Sequence, residues 1–89
     1  MKYHVQFSAP ALKILSKLDR PVQSLILKWV RKNLEECEDP RIHGKALVGN
    51  YSGMWRYRVA DYRLVCTIND GIVLITVVTI GHRRDIYKK

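Results

Sequence analysis

"WRYRVADYR", residues 55–63, alternates large apolar side chains with arginines and then breaks at Ala60 and Asp61. Alternation with period two is the mark of a β-strand with two unlike faces. If Ala60 and Asp61 form a two-residue turn, Val59 pairs with Tyr62, Arg58 with Arg63 and Tyr57 with Leu64. Trp55, Tyr57 and Val59 then share one face, and Arg56, Arg58 and Arg63 share the other. The apolar face is core. The arginine face needs another reason, because like charges directly opposite across a strand pair cost up to about 1 kcal/mol. The planar fork of a guanidinium matches phosphate oxygens better than a lysine ammonium does. The pattern therefore predicts a phosphate-bearing partner. The competing reading is that these arginines snorkel and pair with the acids at a helix end.

Outward from this hairpin, "YRLVCTI" and "IVLITVVTI" continue as strands, with Asn69-Asp70-Gly71 between them as a tight-turn signal. The last run is apolar on both faces, which predicts a strand in the sheet interior. Residues 41–54, with Gly44, Gly49 and Gly53, read as loop. Upstream, Val22, Leu25, Ile26, Trp29, Val30, Leu34 and Cys37 make a helical stripe opened by Asp19 and Pro21, with Pro40 ending it. A shorter helix precedes it, with Ser8 as cap and Ala11, Ile14, Leu15 and Leu18 as its apolar stripe. "KYHVQFS" alternates as an opening strand, with His4 on its polar side as an exposed bystander. The predicted fold is one α+β domain over residues 1–89: an N-terminal strand, a two-helix hairpin and an antiparallel three-strand meander, with the helices on one side of the sheet.

Composition narrows the partner. Sixteen basic against eight acidic residues give a net charge of +8, which favours a polyanion. Half of the acids cluster at Glu35, Glu36, Glu38 and Asp39. Cys37 and Cys66 lie in apolar patterns without a CxxC or metal spacing, and read as reduced thiols of a cytoplasmic protein. The N-terminus lacks the apolar run of a signal peptide, and no run reaches membrane-spanning length. "GHRRDIY", residues 81–87, adds His82, Arg83, Arg84 and Tyr87 beyond the last strand. An imidazole, guanidinium groups and a phenol beside a phosphate site are the parts of acid–base phosphodiester chemistry. Asp61, Asp70 and Asp85 sit at separate turns, so the expectation is chemistry without a metal or other cofactor.

"KALVG", "WRYRVADYR" and "GHRRDIY", in this order, make the chain resemble the RelE/ParE superfamily of toxins, and within it the RelE-type branch, over its whole length. The resemblance implies the toxin of a type II toxin–antitoxin pair that enters the ribosomal A site and cuts mRNA. There the RNA's own 2′-hydroxyl attacks the neighbouring phosphate. It implies a RelB-like antitoxin with an acidic segment, and the ribosome and mRNA, as partners. On the family pattern, Arg56 and Arg58 replace two lysines of the sheet face. Arg63 and Arg83 fall on arginines that stabilise the phosphorane charge, and Tyr87 on a tyrosine that stacks on a base. Lys45 falls in a basic loop that touches rRNA, and Arg84, Lys88 and Lys89 extend that contact. Replacing both lysines by arginine removes the usual base, since guanidinium keeps its proton. His82, Tyr87, or electrostatics with a weak base remain as alternatives. A ParE-type gyrase poison and a plain RNA-binding domain are the rival functions.

Overall fold

Ser8 sets the first corner of the chain. Its hydroxyl accepts from the Ala11 amide at 3.1 Å and donates to the Val78 carbonyl at 2.9 Å, so one side chain caps a helix and ties it to the sheet. The computed structural model describes residues 1–82. The elements are β1 (His4–Phe7), α1 (Ala9–Ser16), α2 (Arg20–Asn33), β2 (Gly44–Ala46), a short 3-10 turn (Gly49–Tyr51), β3 (Trp55–Val59), β4 (Tyr62–Asn69) and β5 (Leu74–His82). They form one five-stranded sheet in the order β1-β5-β4-β3-β2, with β1 parallel to β5 and the other pairs antiparallel.

The α+β class, the helix hairpin and the meander are as the sequence predicted, and the 55–63 hairpin has the predicted register. Ala60 takes φ 53° in its turn, the left-handed conformation that matches a two-residue hairpin to the twist of its strands. Four details differ. The 41–54 stretch contains a fifth strand, β2, too short for periodicity to reveal. Asp19 occupies the N-cap of α2 but makes no capping bond through its side chain. That helix ends at Asn33, ahead of Pro40, where Glu36 turns to φ 64° and its amide donates to the Tyr3 carbonyl. Finally, Asn69-Asp70-Gly71 opens a four-residue loop, residues 70–73. The Asn69 side chain accepts from the amides of Gly71 and Ile72 at 3.0 and 3.2 Å, and Val73 supplies the left-handed residue.

The core lies between the helices and one face of the sheet. Ala11, Leu15, Ile26, Val30 and Leu34 pack on Tyr57, Val59, Leu64, Cys66, Ile75, Val77 and Ile80. Each large apolar side chain so buried contributes about 1.5–3 kcal/mol. Tyr57 is the centre of the β2–β3 corner. Its buried hydroxyl donates to the Pro40 carbonyl, and its ring packs at 5.8 Å from Trp29. Gly44 lies against it so closely that an added Cβ would stand 2.8 Å from the Tyr57 ring and 3.1 Å from the Arg56 carbonyl oxygen. This close approach seats β2 at the edge of the sheet. Burial raises the Tyr57 phenol far above its usual range and pushes the Cys66 thiol up to about 12, so neither ionises near neutral pH.

Candidate functional site

The register of three strands builds one charged face. Arg56 stands across from Val65, and Arg58 across from Arg63. On the far side of β3, Lys45 of β2 stands across from Arg56. Residues directly opposite share a face, so Lys45, Arg56, Arg58 and Arg63 all project away from α1 and α2. Between them lies Val65, fully buried. Beyond β4, the same face continues to Thr79 opposite Val65 and Gly81 opposite Arg63. Gly81 carries no side chain, so β5 places no bulk beside the arginine. The face therefore has a small apolar floor with cations along it.

The four cations are not equivalent. Lys45 and Arg58 are exposed and Arg56 is half-buried. Arg63, on a central strand, is only 9% exposed, and its Nε and Nη1 atoms are buried. Among the described residues the ion-paired carboxylates work elsewhere. Glu35 accepts from the Val5 amide at 2.9 Å and bonds the His4 ring at 2.8 Å. The His4 contact, then the Val5 amide, hold its carboxyl below the usual range. Asp70 accepts from both terminal nitrogens of Arg41, at 3.2 and 2.9 Å, and from the Tyr3 hydroxyl at 2.6 Å. These bonds, Arg41 first, lower its pKa. Arg41 also lies 5.5 Å from the Trp55 ring centroid. Glu35, just past α2, and Asp70, in the loop between β4 and β5, thus fasten β1 and the loops, and among the described residues neither pairs with Arg56 or Arg58.

The structure brings Arg56, Arg58 and Arg63 together as the alternation implied. It moves Lys45 from a loop onto a strand of the same face, a juxtaposition that only the pairing of β2 with β3 discloses. It also separates His82 from the arginines. His82 pairs with Tyr62, on the side of Leu64 and Ile80, and the two rings meet edge to face at 5.4 Å. A register irregularity beside Val65 and Cys66 sets this phase. His4, read as a bystander, is exposed but bound to Glu35. Arg83, Arg84, Tyr87, Lys88 and Lys89 lie outside the described residues. Among the described residues no group of three or more His, Cys, Asp or Glu side chains can hold a metal ion. Nor is any helix there long and apolar enough to cross a membrane.

Fold and face together define a small basic α+β domain whose cations gather on the sheet face turned away from the helices. Over residues 5–87 the chain matches the family described as the ParE toxin of type II toxin–antitoxin system, parDE, and it belongs to that family, within the RelE/ParE toxins. It is 33% identical to a putative RelE-like toxin protein of Escherichia coli, over 98% of this chain and 92% of that protein. It is 28% identical to toxin RelG of Mycobacterium tuberculosis over 100% of both chains. A chain of the crystal structure of the toxin–antitoxin complex RelBE2 from M. tuberculosis superposes with a TM-score of 0.84 at 25% identity, covering 93% of this chain and 100% of that one.

Proposed function

We propose that this toxin is a ribosome-dependent mRNA endonuclease that uses the RNA 2′-hydroxyl as nucleophile in the A site. The observation that carries the reading is the row of two like-charge cross-strand pairs, Lys45 with Arg56 and Arg58 with Arg63. Such crowding costs fold stability, and an anion lying above it offsets that cost. In this reading Arg56, Arg58 and Arg63 hold the phosphates flanking the cut and take up the charge that develops on the phosphorane. Positive charge fixed in the fold serves there in place of a metal ion. The relatives named RelE and RelG toxins support a toxin of the RelE type.

A RelB-like antitoxin with an acidic segment is the partner that fits the same face, and the similarity to the RelBE2 complex supports it. Covered, the arginines would no longer draw nucleic acid.

Addition of the protein to translating ribosomes, followed by mapping of mRNA ends, tests the reading. The expected result is cuts within codons in the A site, leaving a cyclic phosphate and a free 5′-hydroxyl. A second reading, a gyrase poison that does not cleave RNA, is favoured by the ParE name of the matching family and by the placement of His82 away from the arginines. It predicts intact mRNA and trapped gyrase–DNA complexes.

A further inference from the structure

The four cations of the described face differ in one chemical respect. Arg56, Arg58 and Arg63 keep their protons at any working pH, so they can bind and stabilise charge but cannot take a proton. Lys45 ends in an amine, which can. His82, the other titratable candidate on the described strands, faces Tyr62 on the opposite side of the sheet.

Position agrees with chemistry. Lys45 stands across from Arg56, and two residues further along β3 Arg58 stands across from Arg63. Strands lie about 4.8 Å apart and rise about 6.8 Å per two residues, which places each outer member, Lys45 and Arg63, about 6 Å from the centre of the four Cα positions. An extended lysine side chain covers that distance. A phosphate held over the centre is therefore within reach of the amine from one flank and of Arg63 from the other. Gly44 holds this strand in place, since its contact with Tyr57 fixes β2 one residue before Lys45.

We propose that Lys45 is the proton acceptor for the 2′-hydroxyl, an inference that rests on the mRNA-cleavage reading. The Lys45 amine takes the 2′-hydroxyl proton as the 2′-oxygen bonds to phosphorus. The bond from phosphorus to the 5′-oxygen then breaks, and that oxygen takes a proton from water. Lys45 returns its own proton to solvent. The sum is a transesterification with no oxidant, reductant or other co-reactant.

The test is single-turnover cleavage on programmed ribosomes by wild type, Lys45→Ala and Lys45→Arg. Circular dichroism confirms that each variant is folded, as an exposed position allows. Both variants should be slower by about 100-fold or more, the usual scale of a lost general base. Ethylamine should restore Lys45→Ala in proportion to its free-base concentration, which rises with pH, while guanidinium should not. Cleavage at the wild-type rate by Lys45→Arg would reduce the lysine to a positive charge and overturn the proposal. So would loss in both variants without any response to the amine. A wild-type protein that cuts no mRNA on ribosomes would instead overturn the cleavage reading, and the lysine's role with it.

Discussion

Arg58 and Arg63 stand directly opposite each other on β3 and β4, yet Arg58 is exposed and Arg63 is buried, with only 9% of its surface exposed. One guanidinium is buried, and its neighbour reaches into solvent. An anion that approaches this face meets Arg58 first and Arg63 at the floor.

Arg58→Ala and Arg63→Ala should separate binding from catalysis. Removing Arg58 relieves a like-charge pair and should raise the urea midpoint by a few tenths to about 1 kcal/mol of stability. It should also weaken RNA binding and lower the salt dependence by about one released counterion. Removing Arg63 takes away a buried side chain as well as a charge. It should cost about 1–2 kcal/mol in stability and slow cleavage by about 100-fold. Urea titrations, binding over a salt series and single-turnover rates check all of these. An Arg63→Ala protein that cuts at the normal rate would remove that residue from the mechanism.

Gly44→Ala should destabilise the edge of the sheet. A Cβ there meets the Tyr57 ring at 2.8 Å and the Arg56 backbone oxygen at 3.1 Å. The ring is held by Trp29 and by its bond to the Pro40 carbonyl, so it has little room to yield. Overpacking of this kind costs about 1–3 kcal/mol. Amide exchange should quicken first across the pairing of β2 with β3. A melting temperature equal to wild type would show that the strand moves aside freely.

Asp70→Asn should flatten the acid limb of the stability curve. Asp70 is held below its usual pKa by Arg41 and then by Tyr3. A carboxylate depressed in the folded state contributes stability that is fully present above the unfolded value, about 3.9, and is lost as pH falls through the lower folded value. Glu35, depressed by His4 and the Val5 amide, acts with the same sign. Unfolding midpoints between pH 2 and 6 should therefore fall less steeply for Asp70→Asn than for wild type. Identical slopes would show that the Arg41–Asp70–Tyr3 cluster is already screened by solvent.

His82→Gln should leave the cleavage rate and its pH profile unchanged. The ring lies against Tyr62, across the sheet from Arg56, Arg58 and Arg63. If His82 were the base, the rate would rise with pH as the imidazole lost its proton and the substitution would abolish that step. Single-turnover rates from pH 5.5 to 8.5 decide the matter. Loss of such a step would mean that the imidazole reaches the arginine face after all.

Local pattern was enough for the elements and for the central hairpin. Alternation in "WRYRVADYR" assigns faces, because a strand has a period of two whatever surrounds it, and Tyr57 and Val59 are core while Arg58 is exposed. Ser8, Pro10 and Pro21 mark helix starts through bonds and dihedrals that are local too. The same reasoning stopped at residues that depend on distant chain. Gly44–Ala46 is too short to show a period, and it becomes a strand only because Gly44 can approach Tyr57. Lys45 joins the arginines for that reason alone. His82 was separated from them by a register irregularity in the pairing of β4 with β5, and a one-residue change of phase sends a side chain to the other face of the sheet. Glu35 and Asp70 found His4, Arg41 and Tyr3 at separations of 29 to 67 residues. Charge and period are properties of the chain itself. Which charges meet depends on pairings between strands far apart in sequence, and only the folded sheet decides those.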